Sequence, residues 1–326
     1  MGDDRFMFRV LEMYYTNEMS QAEIAKKMNV SRATISRTIW KAKQEGVVSI
    51  TIHHPHNSQH LLEEEIERQY GLKECIVVPV AEGEDVREKV NYEAAQYLFR
   101  VLKDHMTLGI TWGLTIGSLI DDLKKYVRNQ PVYLKGIKVV PFVGTVVSRE
   151  TDRLFQKNHA SLYAVELAEI LKGIGYQLPA PMYASSPEIK QVFKKDPAIA
   201  QVLELSEKAD VGLLPVGQLS KEASIVKTGV LPEDRMERLK ENGGVGEILG
   251  NFFKKDGTII ETDMQERIIG IGREQLMKLP LRIGLAYGKD RILAICGALN
   301  SGMINILITD SVTASGLITK NLLDIK

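Results

Sequence analysis

Hydrophobic and polar residues follow two different periods along this chain. From about residue 74 onward, short apolar runs rich in β-branched residues alternate with longer segments whose apolar residues recur at helical spacing. The short runs predict strands and the longer segments predict helices. Because strands and helices alternate, the pattern predicts an α/β domain with a mostly parallel sheet and helices on both faces.

The predicted strands are Cys75–Val80, Leu108–Thr111, Ile137–Val143, Val211–Val216, Arg282–Ala286 and Asn305–Thr309. The predicted helices are Val86–Lys103, Thr115–Arg128, Ala160–Lys172, Glu188–Glu207, Lys289–Asn300 and Ser311–Leu323. Another helix, over Ser58–Tyr70, carries a short apolar stripe suited to a dimer interface. A turn sequence at Lys255-Asp256-Gly257 predicts a small antiparallel insertion over Ile248–Ile260.

A helix-turn-helix is predicted in the segment before residue 50. Ser20 and Glu23 have the spacing of a capping box at the start of a first helix. Ala25 is small enough for a second helix to cross close by. Asn29 stands at the turn, where a left-handed backbone is needed, and Ser31 can cap the second helix.

The second helix has an inner and an outer face. Ile35 and Ile39 face inward, and Trp40 is predicted to pack in the core rather than to stack on bases. Gly46 ends the helix, and Val47–Ile52 is predicted to form a short strand. Such a helix can present its N-terminal side chains to base edges in the major groove of DNA. The predicted DNA-binding residues are Gln21, Ser31, Arg32, Ala33, Thr34, Ser36, Arg37 and Lys41.

Charge supports a local rather than a global nucleic-acid surface. The 326 residues include 42 basic and 42 acidic side chains, which excludes a protein that coats nucleic acid over its whole surface. Between Met19 and Lys43, however, six basic residues stand against one acidic residue. These lysines and arginines are suited to neutralising phosphates, so the chain predicts operator DNA as a partner.

Length and linker composition predict two domains. A chain of this length exceeds one small module, and the polar, proline-containing stretch Thr51–Ser58 has the composition of a linker. We therefore expect a DNA-binding domain over residues 1–55 and an effector domain over residues 56–326. Cys75 and Cys296 lie far apart, and neither a signal peptide nor a spanning helix is evident, which predicts a cytoplasmic protein without membrane contact.

Two strand-to-helix turns are suited to binding an anion. Gly109–Thr115 leads from a strand into a helix, whose first N–H groups attract anions and where Thr115 adds a hydroxyl. Trp112 in this turn is suited to ligand contact or to simple packing. Tyr287–Arg291 forms the second turn and brings two cations to a helix entrance. Both turns belong at the carboxyl ends of strands, where open α/β sheets bind their ligands.

The order of these motifs resembles one known family. A helix-turn-helix followed by GITWGLT, LPAP, ADVGLLPVG, GVGEILGNFF and NILITDSVTA is similar to the SorC/DeoR family of bacterial transcriptional regulators, over about residues 5 to 323. The resemblance implies a Rossmann-like effector domain related to sugar-phosphate isomerases. It also implies a phosphorylated sugar or related metabolite as effector, and homodimers or homotetramers on operator DNA.

The resemblance assigns the effector contacts residue by residue. It places Arg291 where the family usually has a phosphate-binding Lys, and Lys254 where most members have an Asp that binds sugar hydroxyls. Val143 and Tyr287 each replace a family glycine. Either Asp256, nearby in sequence, takes over the hydroxyl contact, or Lys254 meets an additional acidic or carbonyl group on the ligand. The predicted effector-binding residues are Trp112, Gly113, Leu114, Thr115, Gly144, Gly217, Gln218, Lys254, Asp256 and Arg291.

Two alternatives remain open. A sugar-phosphate isomerase-like enzyme with a DNA-binding appendage would need a general base beside the sugar, but His105 and His159 are isolated in sequence and Asp210 is interpreted as structural. A metal sensor would use the linker histidines His53, His54, His56 and His60, which lack the help of cysteines. We therefore predict no catalytic residue, no metal and no cofactor.

Overall fold

The computed structural model of the chain describes residues 2–48, 57–81, 83–129, 134–146 and 159–318. Contacts between residues divide the chain into two compact units, Met1–Pro55 and His56–Lys326. No helix among the described residues is long and apolar enough to cross a membrane.

The first unit is helical. It contains α1 (Gly2–Leu11), a π-helical turn (Glu12–Thr16), α2 (Gln21–Met28) and α3 (Arg32–Gln44). Its core is a single apolar cluster contributed by all of these elements, in which the buried residues are Met7, Val10, Leu11, Met13, Ile24, Ala25, Ile35, Ile39 and Ala42. Packing of these side chains holds α2 and α3 together as a helix-turn-helix.

The predicted capping pattern of α2 and α3 is confirmed. The backbone N–H of Ser20 donates to Oε2 of Glu23 (2.8 Å), and the N–H of Glu23 donates to Oγ of Ser20 (3.3 Å). Asn29 adopts a left-handed backbone with φ of 53°, as the turn requires. Oγ of Ser31 then accepts from the N–H of Thr34 at 3.1 Å and so caps α3.

The prediction that Trp40 lies in the core is wrong, because its side chain is 64% exposed. Ile35, Ile39 and Ala42 occupy the inward face of α3, and Trp40 falls outside the arc that they span. The predicted strand Val47–Ile52 is not formed at Val47 and Val48, and its other residues lie outside the described ranges.

The described residues of the second unit form two sheets. Its strands are β1 (Glu74–Val78), β2 (Thr107–Ile110), β3 (Lys138–Pro141), β4 (Ile174–Gly175), β5 (Val211–Pro215), β6 (Gly217–Gln218), β7 (Gly244–Ile248), β8 (Asn251–Lys254), β9 (Ile259–Ile260), β10 (Leu281–Leu285) and β11 (Ile306–Asp310). Seven of them form a parallel sheet in the order β1-β11-β10-β5-β2-β3-β4. The other four form an antiparallel sheet in the order β6-β7-β8-β9.

Helices precede, separate and follow the strands of the two sheets. They are α4 (Asn57–Tyr70), α5 (Val86–Val101), α6 (Leu114–Asn129), α7 (Ala160–Leu171), α8 (Pro187–Lys195), α9 (Pro197–Glu207), α10 (Ser224–Lys227), α11 (Glu233–Glu241), α12 (Asp263–Arg267), α13 (Arg273–Lys278), α14 (Ile292–Asn300) and α15 (Ser311–Leu317). A 3₁₀ turn, Lys289–Arg291, precedes α14. Two large apolar clusters fill the spaces between these helices and the sheet, and a smaller one includes Ile199, Val202 and Leu203 of α9.

The predicted α/β architecture is confirmed, with three corrections. The helix predicted over Glu188–Glu207 is two helices, because Asp196 caps α9 and Pro197 occupies its first position without an N–H to donate. The predicted helix Ser311–Leu323 ends at Leu317, and its residues after Ile318 lie outside the described ranges. The predicted antiparallel insertion also includes β6, which precedes it by almost thirty residues.

Candidate functional site

The parallel sheet reverses its strand order between β2 and β5. From β2 the chain adds β3 and β4 toward one edge, whereas β5, β10 and β11 extend the sheet in the other direction. Open α/β sheets bind their ligands at the carboxyl ends of strands where the order reverses. A cavity of about 290 Å³ lies at this place, between the turns after β2, β5 and β10.

The turn after β2 forms one wall of the cavity. Gly113 has φ of 127°, a backbone conformation that favours glycine, and it leads directly into the 16-residue helix α6. The first N–H groups of a helix lack partners within the helix and carry partial positive charge, so they attract anions. Trp112, 7% exposed, lines the cavity together with Leu114 and the partly exposed Thr115.

The turn after β10 supplies a cation. The N–H of Gly288 donates to Oγ1 of Thr313 (2.8 Å) and to Oδ2 of Asp310 (3.2 Å), which fixes this turn against the end of β11. The 3₁₀ turn that follows places Asp290 and Arg291 on the cavity wall. Strands in a sheet lie about 4.8 Å apart, so β10 and β2, separated by β5, are about 10 Å apart. An arginine side chain can reach across that distance toward a ligand at the start of α6.

Glu247, on the antiparallel sheet, is a cavity residue that the sequence analysis missed. It lies directly opposite Gly217 in the pairing of β6 with β7. Its Oε2 accepts from the N–H of Gly250 at 2.9 Å. Burial raises the pKa of the Glu247 carboxyl to about 7, and the hydrogen bond from Gly250 opposes this rise only in part. An acid among the glycines and apolar residues of GVGEILG was the signal that could have identified it.

The remaining polar lining comes from the segment after β5. Gln218, Glu222 and Ser224 contribute an amide, a carboxylate and a hydroxyl. Together with Glu247 they provide hydrogen-bond acceptors, which suit the hydroxyl groups of a sugar. The α6 N-terminus, Thr115 and Arg291 provide donors, which suit a phosphate. The cavity is therefore equipped for a small molecule that has both kinds of group.

Seven of the ten predicted effector-binding residues line this cavity, and three do not. The seven are Trp112, Gly113, Leu114, Thr115, Gly217, Gln218 and Arg291. Gly144 instead packs against the backbone of Pro181, and its N–H donates to the carbonyl of Ile269 at 2.9 Å. Lys254 is the exposed last residue of β8. Asp256 accepts from the N–H of Thr258 at 2.9 Å and so stabilises the turn between β8 and β9.

A larger concavity of about 510 Å³ lies beside Thr145 and Tyr183. It contains two arginines, but Arg235 and Arg267 each donate to a carboxylate oxygen of Asp263 at 2.9 Å. Because these guanidinium groups already have an anionic partner, this concavity is a weaker candidate for an anionic ligand.

The predicted nucleic-acid interface lies on α2 and α3. Arg32, Ala33, Ser36 and Arg37 are exposed on α3, as the prediction requires. Three of the remaining predicted residues have partners within the unit, since Ser31 Oγ and Thr34 Oγ1 are 2.8 Å apart and Lys41 lies 3.8 Å from Glu45. Gln21 is the first residue of α2.

The described residues contain no group of three or more His, Cys, Asp or Glu side chains that could hold a metal ion. Of the linker histidines, His53, His54 and His56 lie outside the described ranges. His60 lies 3.7 Å from Glu63 and 3.3 Å from Glu64 on α4.

Comparison with known proteins agrees with this arrangement. Residues 54–319 match the Sugar-bind family, described as "Putative sugar-binding domain", and residues 8–44 match region 4 of sigma-70. The deoxyribonucleoside regulator of Bacillus subtilis (strain 168) is 29% identical over 315 residues, which cover 94% of this chain and 95% of the relative. The transcriptional regulator LsrR of Klebsiella pneumoniae subsp. pneumoniae is 25% identical over 321 residues, 98% of this chain and 94% of the relative.

A solved structure extends the likeness to the fold. The full-length sorbitol operon regulator SorC from Klebsiella pneumoniae superposes with a TM-score of 0.71 at 24% identity, over 98% of this chain and 100% of that chain. The sugar-binding family match covers most of the sequence and contains every residue of the cavity described above. The chain belongs to this sugar-binding family of SorC- and DeoR-type transcriptional regulators, in which a helix-turn-helix precedes the sugar-binding domain.

Proposed function

We propose that the chain is a cytoplasmic transcriptional regulator of carbohydrate metabolism whose affinity for operator DNA is controlled by a phosphorylated sugar or a related metabolite. Residues 1–55 would bind DNA and residues 56–326 would bind the effector and assemble the oligomer. The observation that carries the effector proposal is the convergence of the α6 N-terminus, Thr115 and Arg291 on one cavity at the reversal point of the sheet.

The phosphate would be bound by donors and the sugar by acceptors. Arg291 can form charge-assisted hydrogen bonds with phosphate oxygens, and the α6 N–H groups add neutral donors without a further side chain. Glu247 and Gln218, on the antiparallel sheet, would accept hydrogen bonds from sugar hydroxyls. Gly113 and Gly217 let the backbone approach the ligand closely, and Leu114 and Trp112 shield it from water.

DNA binding would use the exposed residues of α3 and the lysines beside them. Arg32 and Arg37 lie in the N-terminal half of α3, from which a recognition helix contacts base edges. Lys26 and Lys27, exposed on α2, are suited to phosphates. Two helix-turn-helix units are needed for a palindromic operator, so the functional form would be a homodimer or a homotetramer.

Glu247 favours a second candidate function. A carboxyl group with a pKa of about 7 beside a sugar site has the property of a general base, and an isomerase-like enzyme would need such a group. We rank this function second because no acid or second base among the described cavity residues hydrogen-bonds to Glu247. Incubation with sugar phosphates, followed by chromatography for isomerised product, separates the two functions.

The effector proposal is tested by thermal shift and calorimetry on the full-length chain. The ligands are sugar and polyol phosphates, each paired with its unphosphorylated counterpart. They include deoxyribose and sorbitol phosphates, because one relative is named a deoxyribonucleoside regulator and another a sorbitol operon regulator. We expect one phosphate to bind and its counterpart to bind at least tenfold more weakly. The same ligand should change the affinity of the chain for DNA.

Arg291→Ala and Lys289→Ala form a matched pair for this test. Both residues belong to the same 3₁₀ turn, but only Arg291 lines the cavity. Arg291→Ala should weaken binding of every sugar phosphate by about tenfold to a hundredfold, whereas Lys289→Ala should leave it unchanged. If an unphosphorylated sugar binds best and Arg291→Ala does not alter its affinity, the assignment of a phosphate site to this cavity is wrong.

A further inference from the structure

Trp40 is 64% exposed, although a tryptophan side chain is largely apolar. It lies on α3, whose Ile35 and Ile39 are buried in the core of the first unit. At about 100° per residue, Trp40 lies roughly 140° around the helix from Ile35. The indole therefore stands on the surface, where nothing in the folded unit explains a large aromatic side chain.

Trp40 continues the outward face that carries the proposed base contacts. Ala33, Ser36, Arg37 and Trp40 have the spacing i, i+3, i+4 and i+7, which places them on one side of a helix, and all four are exposed. Trp40 lies about 4.5 Å beyond Arg37 along the helix axis. A helix that contacts bases through Arg37 therefore brings Trp40 to the wall of the same groove.

The charge around Trp40 favours DNA as the occupant of this face. Arg37 precedes the indole by one turn, and Lys41 and Lys43 follow it, all three exposed. A second copy of the chain, docked through Trp40 in a two-fold contact, would bring these cations together with their own copies. Phosphates instead complement them.

We propose that Trp40 contacts DNA, with its indole packed on the deoxyribose–phosphate wall of the major groove. This inference rests on the proposed DNA-binding function and assigns a further residue to it. The indole offers apolar surface to a deoxyribose and one N–H donor to a phosphate oxygen, but no charge. It therefore adds to the affinity without displacing a counterion from the DNA.

The first test measures affinity for a duplex selected from a random-sequence pool by the full-length chain. Trp40→Ala should lower the affinity about tenfold, and the slope of log K against log salt should not change, because no ionic contact is lost. Trp40→Phe should retain part of the affinity. Phe8, 59% exposed on α1, is the matched control, and Phe8→Ala should bind as the parent does.

The second test observes the indole directly. Because the chain has two tryptophans, the Trp112→Phe variant leaves Trp40 as the sole source of tryptophan emission. Bound duplex should alter that emission and protect it from acrylamide quenching. Unchanged quenching with the duplex bound, or parental affinity of Trp40→Ala, overturns the inference. The inference is also overturned if Trp40 is protected from acrylamide before DNA is added and loses this protection on dilution. That result would assign Trp40 to a contact between two copies of the chain.

A separate outcome concerns the function on which the inference rests. If the parent chain selects no duplex over random DNA, the DNA-binding function itself fails. If the parent selects a duplex and Arg37→Ala weakens its binding while Trp40→Ala does not, DNA binding stands and only the assignment of Trp40 is wrong.

Discussion

Oε1 of Glu247 occupies the space where a side chain at position 217 would begin: a Cβ on Gly217 would lie 2.4 Å from it. The two residues face each other across β6 and β7. Gly217 thus lets the carboxylate reach the cavity beside the main chain of β6. The pair joins the antiparallel sheet to the ligand site at the carboxyl end of β5.

Gly217→Ala should displace the Glu247 carboxylate from this position. Because the added methyl group meets the end of a flexible side chain, we expect the fold to survive and the effector affinity to fall about tenfold. Calorimetry with the sugar phosphate found by screening measures the change. Gly272→Ala is the control, since its Cβ would also meet a side-chain oxygen, that of Gln275, but outside the cavity. Equal losses in both variants would contradict the assigned role.

Glu247 should make the stability of the chain depend on pH. Its pKa is raised by burial to about 7, so the folded state holds this proton more tightly than the unfolded state does. The resulting stabilisation is fully present below the unfolded pKa of about 4.5 and is lost as the pH rises through 7. Its size is on the order of 3 kcal/mol.

Urea unfolding of the parent and of Glu247→Gln from pH 4.5 to pH 8 measures this effect. The stability of the parent relative to that of the variant should decline over this range, because glutamine does not titrate. Glu222→Gln, an exposed acid on the same cavity, serves as the control and should follow the parent curve. Parallel curves for parent and Glu247→Gln would show that the carboxyl is not buried as described.

Much of the parallel sheet could be predicted from sequence because its strands are buried on both faces. Every residue of β11, Ile306–Asp310, is buried, and apolar runs such as its first three residues stand out from the amphipathic helices between the strands. In contrast, β4 and β6 contain two residues each. A strand of two residues is too short to show an alternation of apolar and polar residues. Its pairing depends on which other strands pack beside it in the fold.

The cavity was predictable on one side only. Its donors lie in two strand-to-helix turns, each contiguous in sequence, so Thr115 and Arg291 could be found from local patterns. Glu247 was missed because it reaches the site through pairing with Gly217, thirty positions earlier in the chain. Lys254, which the resemblance assigned to the effector site, does not line the cavity, and β8 ends at this residue before the chain turns toward β9.

Gly144→Ala should destabilise the fold rather than remove a ligand contact. A Cβ at this position would lie 2.4 Å from the carbonyl oxygen of Pro181 and 2.5 Å from that of Ala180. These are backbone atoms, so the neighbouring segment would have to move. We expect a loss of about 2–4 kcal/mol in the free energy of unfolding, with the effector affinity of the folded protein unchanged. If Gly144→Ala unfolds with the same free energy as the parent, Gly144 is not packed closely against the carbonyl groups of Ala180 and Pro181.

Lys254→Asp introduces the residue that the family resemblance implies for this position, yet it should not change the preference among sugar phosphates. Lys254 is exposed at the end of β8 and does not line the cavity. Reversal of an exposed charge outside the site acts only through solvent and is largely screened at physiological salt. Calorimetry with the same panel of phosphates tests this, and a changed order of affinities would return Lys254 to the effector site.

Arg37→Ala and Lys27→Ala should weaken DNA binding in different ways. Arg37 lies on the outward face of α3, where it can contact a base, so its loss should reduce affinity for the selected duplex far more than for random DNA, by about 1–3 kcal/mol. Arg32→Ala should act in the same direction to a smaller extent. Lys27, exposed on α2, is suited to contact a phosphate. Lys27→Ala should therefore lower the affinity for the selected duplex and for random DNA to the same extent.

The salt dependence separates these two roles. If Lys27 neutralises one phosphate, the slope of log K against log salt should become shallower by about one in Lys27→Ala. Arg9, which is exposed on α1 rather than on α2 or α3, provides the control, and Arg9→Ala should alter neither affinity nor slope. Equal affinity of Arg37→Ala and the parent for the selected duplex, at matched salt, would exclude α3 as the recognition helix. If Arg37→Ala loses its preference for the selected duplex over random DNA and keeps the circular dichroism spectrum of the parent, Arg37 reads sequence. A folding defect would instead remove the preference and alter the spectrum.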